Sequence, residues 1–161
     1  MLWFIFWSKS DPQTIITMSN YIPLISSSLT GPLGIMHLPR LWQKVSLKAT
    51  GLLHGDYPDI GGGYDSMVLG ALSIEADAFR AFVSENKPSY IECENWVAQN
   101  GSLTPSGIAK LNRQITQYHH DDATRNEILR AAGLDDSAAI SDAPNLNNLD
   151  DWTEFHKDVL S

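Results

Sequence analysis

Apolar residues along this chain recur mostly at intervals of three and four, the period of a helix with one buried face. The clearest run is "PRLWQKVSLKATGLL" (39–53), where Leu38, Leu41, Trp42, Val45, Ala49 and Leu52 share a side. Pro39 suits the first turn of that helix, where its missing N–H costs nothing, and Gly51 weakens the helix near its end. "YDSMVLGAL" (64–72) reads as a short helix capped by Asp65 or Ser66. In "SIEADAFRAFVSE" (73–85) Ser73 is placed to cap, and Ile74, Ala78, Phe79, Phe82 and Val83 form the apolar stripe. "PSYIECENWVAQNG" (88–101) carries Ser89 and Glu92 at capping-box spacing. "LTPSGIAKLNRQITQYHH" (103–120) opens with Thr104 as cap and Pro105 as first helical residue, with Ile108, Leu111, Ile115 and Tyr118 on one face. "DDATRNEILRAAGL" (121–134) has an Asp cap and Gly133 at its stop.

Two stretches break the pattern. "IPLISSSLTGPLGIMHLP" (22–39) mixes prolines, glycines and serines and reads as an extended lead-in, with Ile22, Leu24, Ile25 and Leu29 free to pack down. "SAAISDAPNLNN" (137–148) reads as a linker before an acidic helix, "LDDWTEFHKDVL" (149–160), whose apolar face would be Trp152, Phe155 and Val159. No run alternates with a strand's period, and no repeat is present. The expectation is an all-α, single-domain fold of five to seven short helices with an extended N-terminal arm. The division expected is an arm over 1–31, a helical core over 32–133, and an acidic linker with a C-terminal helix over 134–161.

Composition narrows the partners. The chain has 161 residues, 43% of them apolar, and one cysteine, Cys93, so no intramolecular disulfide forms and a reducing cytoplasm is expected. The opening "MLWFIFW" is far shorter than the roughly 20 apolar residues of a membrane span. It also lacks the flanks of a signal peptide. Met18 opens "MSNYIPLISSS" like a natural start, which makes residues 1–17 an upstream-start artefact or a loose arm. The formal charge is −8, and such a chain repels nucleic acid overall. The segment from Met18 to His54 is the exception: it holds Arg40, Lys44 and Lys48 and no acid. These three bases recur at every fourth residue and share one helix face. They read either as a solvated row pairing with acids elsewhere in the chain, or as an anion pocket with a glycine loop at its rim.

That loop, "HGDYPDIGGGYDSMVLG" (54–70), invites several chemistries and satisfies none. A Walker loop needs a lysine after its glycines, where Tyr64 and Asp65 stand. A dinucleotide fingerprint needs a preceding strand. A nucleophile elbow needs glycines two residues either side of the serine, which Ser66 lacks. Asp56, Asp59 and Asp65 match a calcium loop poorly. The loop is best read as a turn whose glycines supply special backbone angles. "YHHDD" (118–122) offers His119, His120, Asp121 and Asp122 as metal ligands for a hydrolase. The plainer reading puts both histidines at a helix C-terminus and an aspartate as the next cap. Cys93 sits between two glutamates, which raise a thiol's pKa and argue against a catalytic thiolate.

With these residues in place, "LPRLWQKVSLKATGLL", the tyrosine-bearing loop, "YDSMVLGALSIEADAFRAFV" and "TPSGIAKLN" together resemble an uncharacterised bacterial family, the domain-of-unknown-function family numbered 5069. The resemblance runs over about residues 32–117. Leu38, Pro39 and Arg40 match the family's helix opening, Lys44 its lysine and Gly51 its helix-end glycine. Asp65 matches the aspartate after the loop, and Ile74, Thr104, Pro105 and Asn112 match further on. Gln43 and Leu111 depart from the family's aspartate and tryptophan. The resemblance implies a small helical fold in a bacterial cytoplasm and supplies no function.

Taken together, the sequence supports a non-enzymatic binding domain. It would take a partner protein or a small anionic ligand on Arg40 and Lys44, with Asp65 and Asn112 orienting them or fixing the pocket. Two alternatives stand beside this: a metal-dependent hydrolase using His119, His120, Asp121 and Asp122, and a structural module that self-associates through surface tryptophans. The cofactor is unknown from the sequence, no nucleic-acid partner or membrane contact is expected, and a homo-oligomer is possible.

Overall fold

The computed structural model describes residues 20–161, so the expectations for residues 1–17 lie outside the described residues. Seven α-helices follow in the described residues: α1 Leu38–Ala49, α2 Tyr64–Leu72, α3 Ala76–Asn86, α4 Tyr90–Asn100, α5 Pro105–Thr116, α6 Asp122–Ala131 and α7 Ala143–Phe155. One π-helical turn, His156–Leu160, extends α7. No strand forms among the described residues; two isolated bridges, Tyr21 with Leu53 and Thr30 with Met36, fasten the leader. The fold is all-α, as the periodicity predicts.

Short-range signals place most helix ends. Ser89 accepts from the Glu92 amide while Glu92 reaches back to the Ser89 amide, a complete capping box. Thr104 and Asp121 cap α5 and α6. Helix α1 stops earlier than the expected residue 53. Gly51 takes a left-handed φ of 72°, the Leu52 amide donates to Leu47 and the Gly51 amide to Lys48. That is a Schellman closure.

Three expectations are corrected. Ser73 does not cap α3: it occupies the left-handed position that closes α2, with φ 56°, and Glu75 precedes the next helix. Asp65 does not cap α2 either; Gly63 holds that position and Asp65 lies inside the helix, buried. The stretch read as a linker contains the start of α7. Asp142 caps it by accepting from the Asn145 amide, and Pro144 sits in the first turn, where no amide donor is needed.

Phe79 is fully buried in a core cluster that also holds Leu38, Leu41, Val83 and Val97. Burying a phenylalanine completely contributes about 2–3 kcal/mol. Phe82 stacks on Trp96 with ring centroids 4.5 Å apart. Helix α1 packs on α3, α2 on α5, and α7 bridges α6 and α5. The buried face of α7 is Ala143, Pro144, Leu146 and Asp151; the expected apolar residues Trp152 (59% exposed) and Val159 (58%) face outward. In the leader, Ile22 and Ile35 pack inward while Leu24 and Leu29 stay exposed. The leader crosses α4 at Gly31, where a Cβ would collide with the Tyr90 ring and Glu94 Oε1. Beyond that crossing the Leu33 amide donates to buried Glu94.

Candidate functional site

Charged groups are expensive to bury and are found inside proteins only when paired. Seven polar or charged residues are buried here: Ser27, His37, Arg40, Lys44, Asp65, Glu94 and Asp151. All but Glu94 line one cavity of about 380 Å³. Its walls come from the leader, α1, α2 and α7, and its mouth from the loop at Asp56–Gly63.

Helix α1 supplies the two bases one turn apart, as the sequence spacing predicts. Both are buried and both hold an internal carboxylate. Arg40 grips Asp151 of α7 in a two-pronged pair, Nη1 donating to Oδ2 at 2.6 Å and Nη2 to Oδ1 at 2.9 Å. Nη1 also faces the carbonyls of Pro23 (2.7 Å) and Ile25 (2.9 Å). Tyr57 adds a third donor to Asp151 at 3.0 Å. Burial moves the Asp151 carboxyl upward against the pull of the guanidinium.

Lys44 Nζ donates to Asp65 Oδ2 at 2.5 Å, and the Gly61 amide donates to the same oxygen at 2.7 Å. The other oxygen, Oδ1, accepts from His37 Nε2 at 2.8 Å. Burial alone would raise the Asp65 carboxyl, but the His37 hydrogen bond and the Lys44 charge outweigh it and hold the group down to about 2. Asp65 is therefore ionised and acceptor-only, so the His37 proton resides on Nε2. Burial lowers the His37 pKa and keeps the ring neutral. Nδ1 is then a bare lone pair with no partner among the described residues. Ser27 Oγ, also buried in the cavity wall, has none either.

His37 is held at φ 67°, a left-handed angle rare for a residue with a Cβ. The strain is maintained from behind. Asn112 of α5 accepts from the Met36 amide at 3.0 Å and donates to the Gly34 carbonyl at 2.7 Å, clamping the leader just before His37. Asn112 does not line the cavity; it acts on the site through the backbone.

The glycines at the mouth play a different part from the one expected. Gly34, Gly51 and Gly133 are the positive-φ glycines of the described residues, and Gly61, Gly62 and Gly63 are not among them. A Cβ at Gly62 or Gly63 would meet open space, so these residues simply leave the mouth free of side chains.

The second candidate cluster is not gathered. His119 Nδ1 donates to the Ser141 carbonyl at 2.9 Å, His120 Nε2 lies 2.9 Å from Asn147 Oδ1, and Asp121 caps α6. Asp122 is the first residue of that helix. Among the described residues no group of three or more His, Cys, Asp or Glu side chains is arranged to hold a metal. Cys93 is fully buried, and burial followed by Glu94 pushes its thiol up to about 12. No helix of the described residues is long and apolar enough to cross a membrane.

Sequence reasoning missed His37, Asp151, Tyr57 and Ser27. Asp151 lies 111 positions from its partner, and nothing local connects them. His37 carried one usable signal, its place directly before a Leu-Pro helix start.

A family model for a domain of unknown function (DUF5069) matches residues 26–152, and the chain belongs to that family. The match extends beyond the stretch that carries the resemblance in sequence, and it spans every buried residue of the cavity wall from Ser27 to Asp151. No curated protein matches the chain.

Proposed function

We propose that this DUF5069 chain is a binding domain whose cavity between α1, α2 and α7 receives a small polar molecule. The observation that carries this is the gathering of six of the seven buried polar residues around one cavity, with two of their polar atoms left without protein partners. A purely structural interior would disperse such groups or satisfy them, because an unmet buried donor or acceptor costs about 1–3 kcal/mol. Arg40 and Lys44 form the floor, and Asp151 and Asp65 hold them in place. An anion on these bases, as the sequence alone suggests, would have to compete with both carboxylates.

A ligand that binds only the folded state raises Tm by mass action. The test is a thermal-shift screen of the full chain against small anions, amines, polyols and divalent metals, repeated with Gly62→Phe. Gly62 has open space for a side chain, so phenylalanine there blocks the mouth while the packed interior stays unchanged. A saturable rise in Tm that Gly62→Phe abolishes supports the reading. A rise that survives the blocked mouth, or none in any class, overturns it. A rise with metal alone that is lost on replacing His119 and His120 would favour the hydrolase alternative instead.

A further inference from the structure

The loop that forms the cavity mouth is fixed at both ends and lightly held between them. At its start the His54 amide donates to the Tyr21 carbonyl at 3.0 Å, and His54 Nε2 lies 2.7 Å from Asp158 Oδ2 on the C-terminal turn. At its far end Arg80 Nε donates to Asp59 Oδ2 at 2.6 Å, and the Gly61 amide donates to Asp65 Oδ2 at 2.7 Å. Between these anchors run Gly55, Asp56, Tyr57 and Pro58, and the last three line the cavity. Gly55, Asp56 and Pro58 are exposed, and Tyr57 is half-buried. Among the described residues, the hydrogen bond that ties this span to another element is the one from the Tyr57 hydroxyl to Asp151 Oδ1 on α7, at 3.0 Å. Both partners line the cavity, so this bond joins two of its walls.

The Tyr57 bond differs from the anchors in what its loss would leave behind. Asp151 also takes two donors from Arg40, at 2.6 Å on Oδ2 and 2.9 Å on Oδ1. The carboxylate stays paired when the hydroxyl leaves, so releasing Tyr57 forfeits one hydrogen bond and strands no buried charge. Releasing Asp59 from Arg80 would separate two opposite charges instead. The Tyr57 ring lies outside the core cluster and meets the His54 ring edge-on, with centroids 6.0 Å apart. Gly55 supplies a joint: a Cβ there would meet nothing within 4 Å, and glycine leaves the backbone its widest choice of angles. We infer that Gly55–Pro58 is a gate over the cavity, with Gly55 as its hinge and the Tyr57 hydroxyl as its latch on Asp151. Opening lifts Tyr57 from α7 while both ends of the loop stay fixed, and it brings Lys44 on the cavity floor within reach of solvent. That the gate admits a ligand rests on the reading that the cavity is a ligand site; the latch itself does not.

The experiment uses the full chain, without ligand, and two variants of opposite sign. Tyr57→Phe keeps the ring and removes the hydroxyl. Gly55→Ala stiffens the hinge and has open space for its methyl group. One readout is amide exchange at residue 57, whose N–H donates to the His54 carbonyl. The other is acetylation of Lys44 by acetic anhydride, mapped by mass spectrometry against the exposed Lys110. Tyr57→Phe should raise both rates about fivefold, the factor that one hydrogen bond contributes. Gly55→Ala should lower both about twofold. The amides of Gly61 and Leu146, on the fixed parts, should exchange as before. Unchanged rates at residue 57 or at Lys44 in Tyr57→Phe overturn the gate. So does an equal rise at Gly61 and Leu146, which would make Tyr57 a packing residue of the whole domain. The thermal-shift screen tests the ligand reading separately. Rates that move as expected beside a flat screen uphold the gate and remove the ligand, and a saturable rise in Tm beside unmoved rates does the reverse.

Discussion

The two ends of the cavity solve the same problem by different means. At one end Lys44, Asp65 and His37 come from neighbouring elements, and the lysine and aspartate are only 21 positions apart. Their carboxylate takes three donors and is driven firmly into its ionised form. At the other end Arg40 reaches Asp151 on the last helix, and burial raises that carboxyl in spite of a two-pronged guanidinium contact. The first end is a local cluster that α1 and α2 assemble together. The second exists only once both ends of the domain have closed on one another. A buried pair built late in the chain contributes little net stability by being formed, yet costs a great deal when half of it is removed.

The sharpest way to break this comparison is Arg40→Met. It leaves Asp151 buried with only Tyr57 as donor, and an expected loss of about 3–5 kcal/mol should be seen in denaturant unfolding. Adding Asp151→Leu removes the stranded charge and should restore a large part of that loss, the coupling expected of contacting residues. A single-variant loss below about 1 kcal/mol would show that the pair does not hold α7 in place. Lys44→Met comes next. Asp65 keeps the His37 and Gly61 donors, so the expected loss is smaller, about 2–3 kcal/mol by the same measurement. If Lys44→Met cost more than Arg40→Met, the ranking of the two ends would be reversed.

Acid titration sharpens the contrast further. The Asp65 carboxyl is lowered from 3.8 to about 2 on folding, so its contribution is complete above about pH 4 and disappears as pH falls towards 2. The amount is about 2 kcal/mol. His37 is also lowered on folding, so the unfolded chain takes up a proton first and stability begins to fall below about pH 6.5. Denaturation midpoints measured from pH 8 to pH 2 should show both limbs, and Asp65→Asn should flatten the more acidic one. The smallest effect is expected at Trp152→Ala. Its side chain faces outward, so unfolding free energy should change by no more than about 0.5 kcal/mol. A larger loss would mean that this tryptophan is covered in solution, as the self-association alternative requires, and light scattering on the same samples would show it.

How much of this was legible beforehand follows the range of each interaction. Caps at Ser89, Thr104 and Asp121 and the stop at Gly133 act over three to six residues, and the sequence displays them directly, whereas Gly51 read only as a weak point in a helix that in fact closes there. The buried face of α7 was obscured because its start, "APNLNN", resembles a loop in composition, while a more conspicuous stripe at Trp152, Phe155 and Val159 lies on the wrong side. Arg40 and Lys44 stood out as a row but read as equally suited to solvent, since charged side chains are seldom buried. Their burial depends on carboxylates supplied from elsewhere, and only the fold brings those near. Asn112 was visible as a family match, yet its work is to hold the backbone at Gly34 and Met36, a role that residue type alone does not disclose.

The guanidinium of Arg40, carried by α1, holds two distant stretches of chain at once: the carbonyls of Pro23 and Ile25 in the leader, and Asp151 on the last helix. Neither the leader nor the last helix can open alone without exposing the charge that the other still surrounds. The two extremities are therefore expected to open as one cooperative unit: amide exchange at Tyr21, whose N–H donates to Leu52, and at Leu146, whose N–H donates to Asp142, should report a common opening free energy although more than a hundred residues separate them.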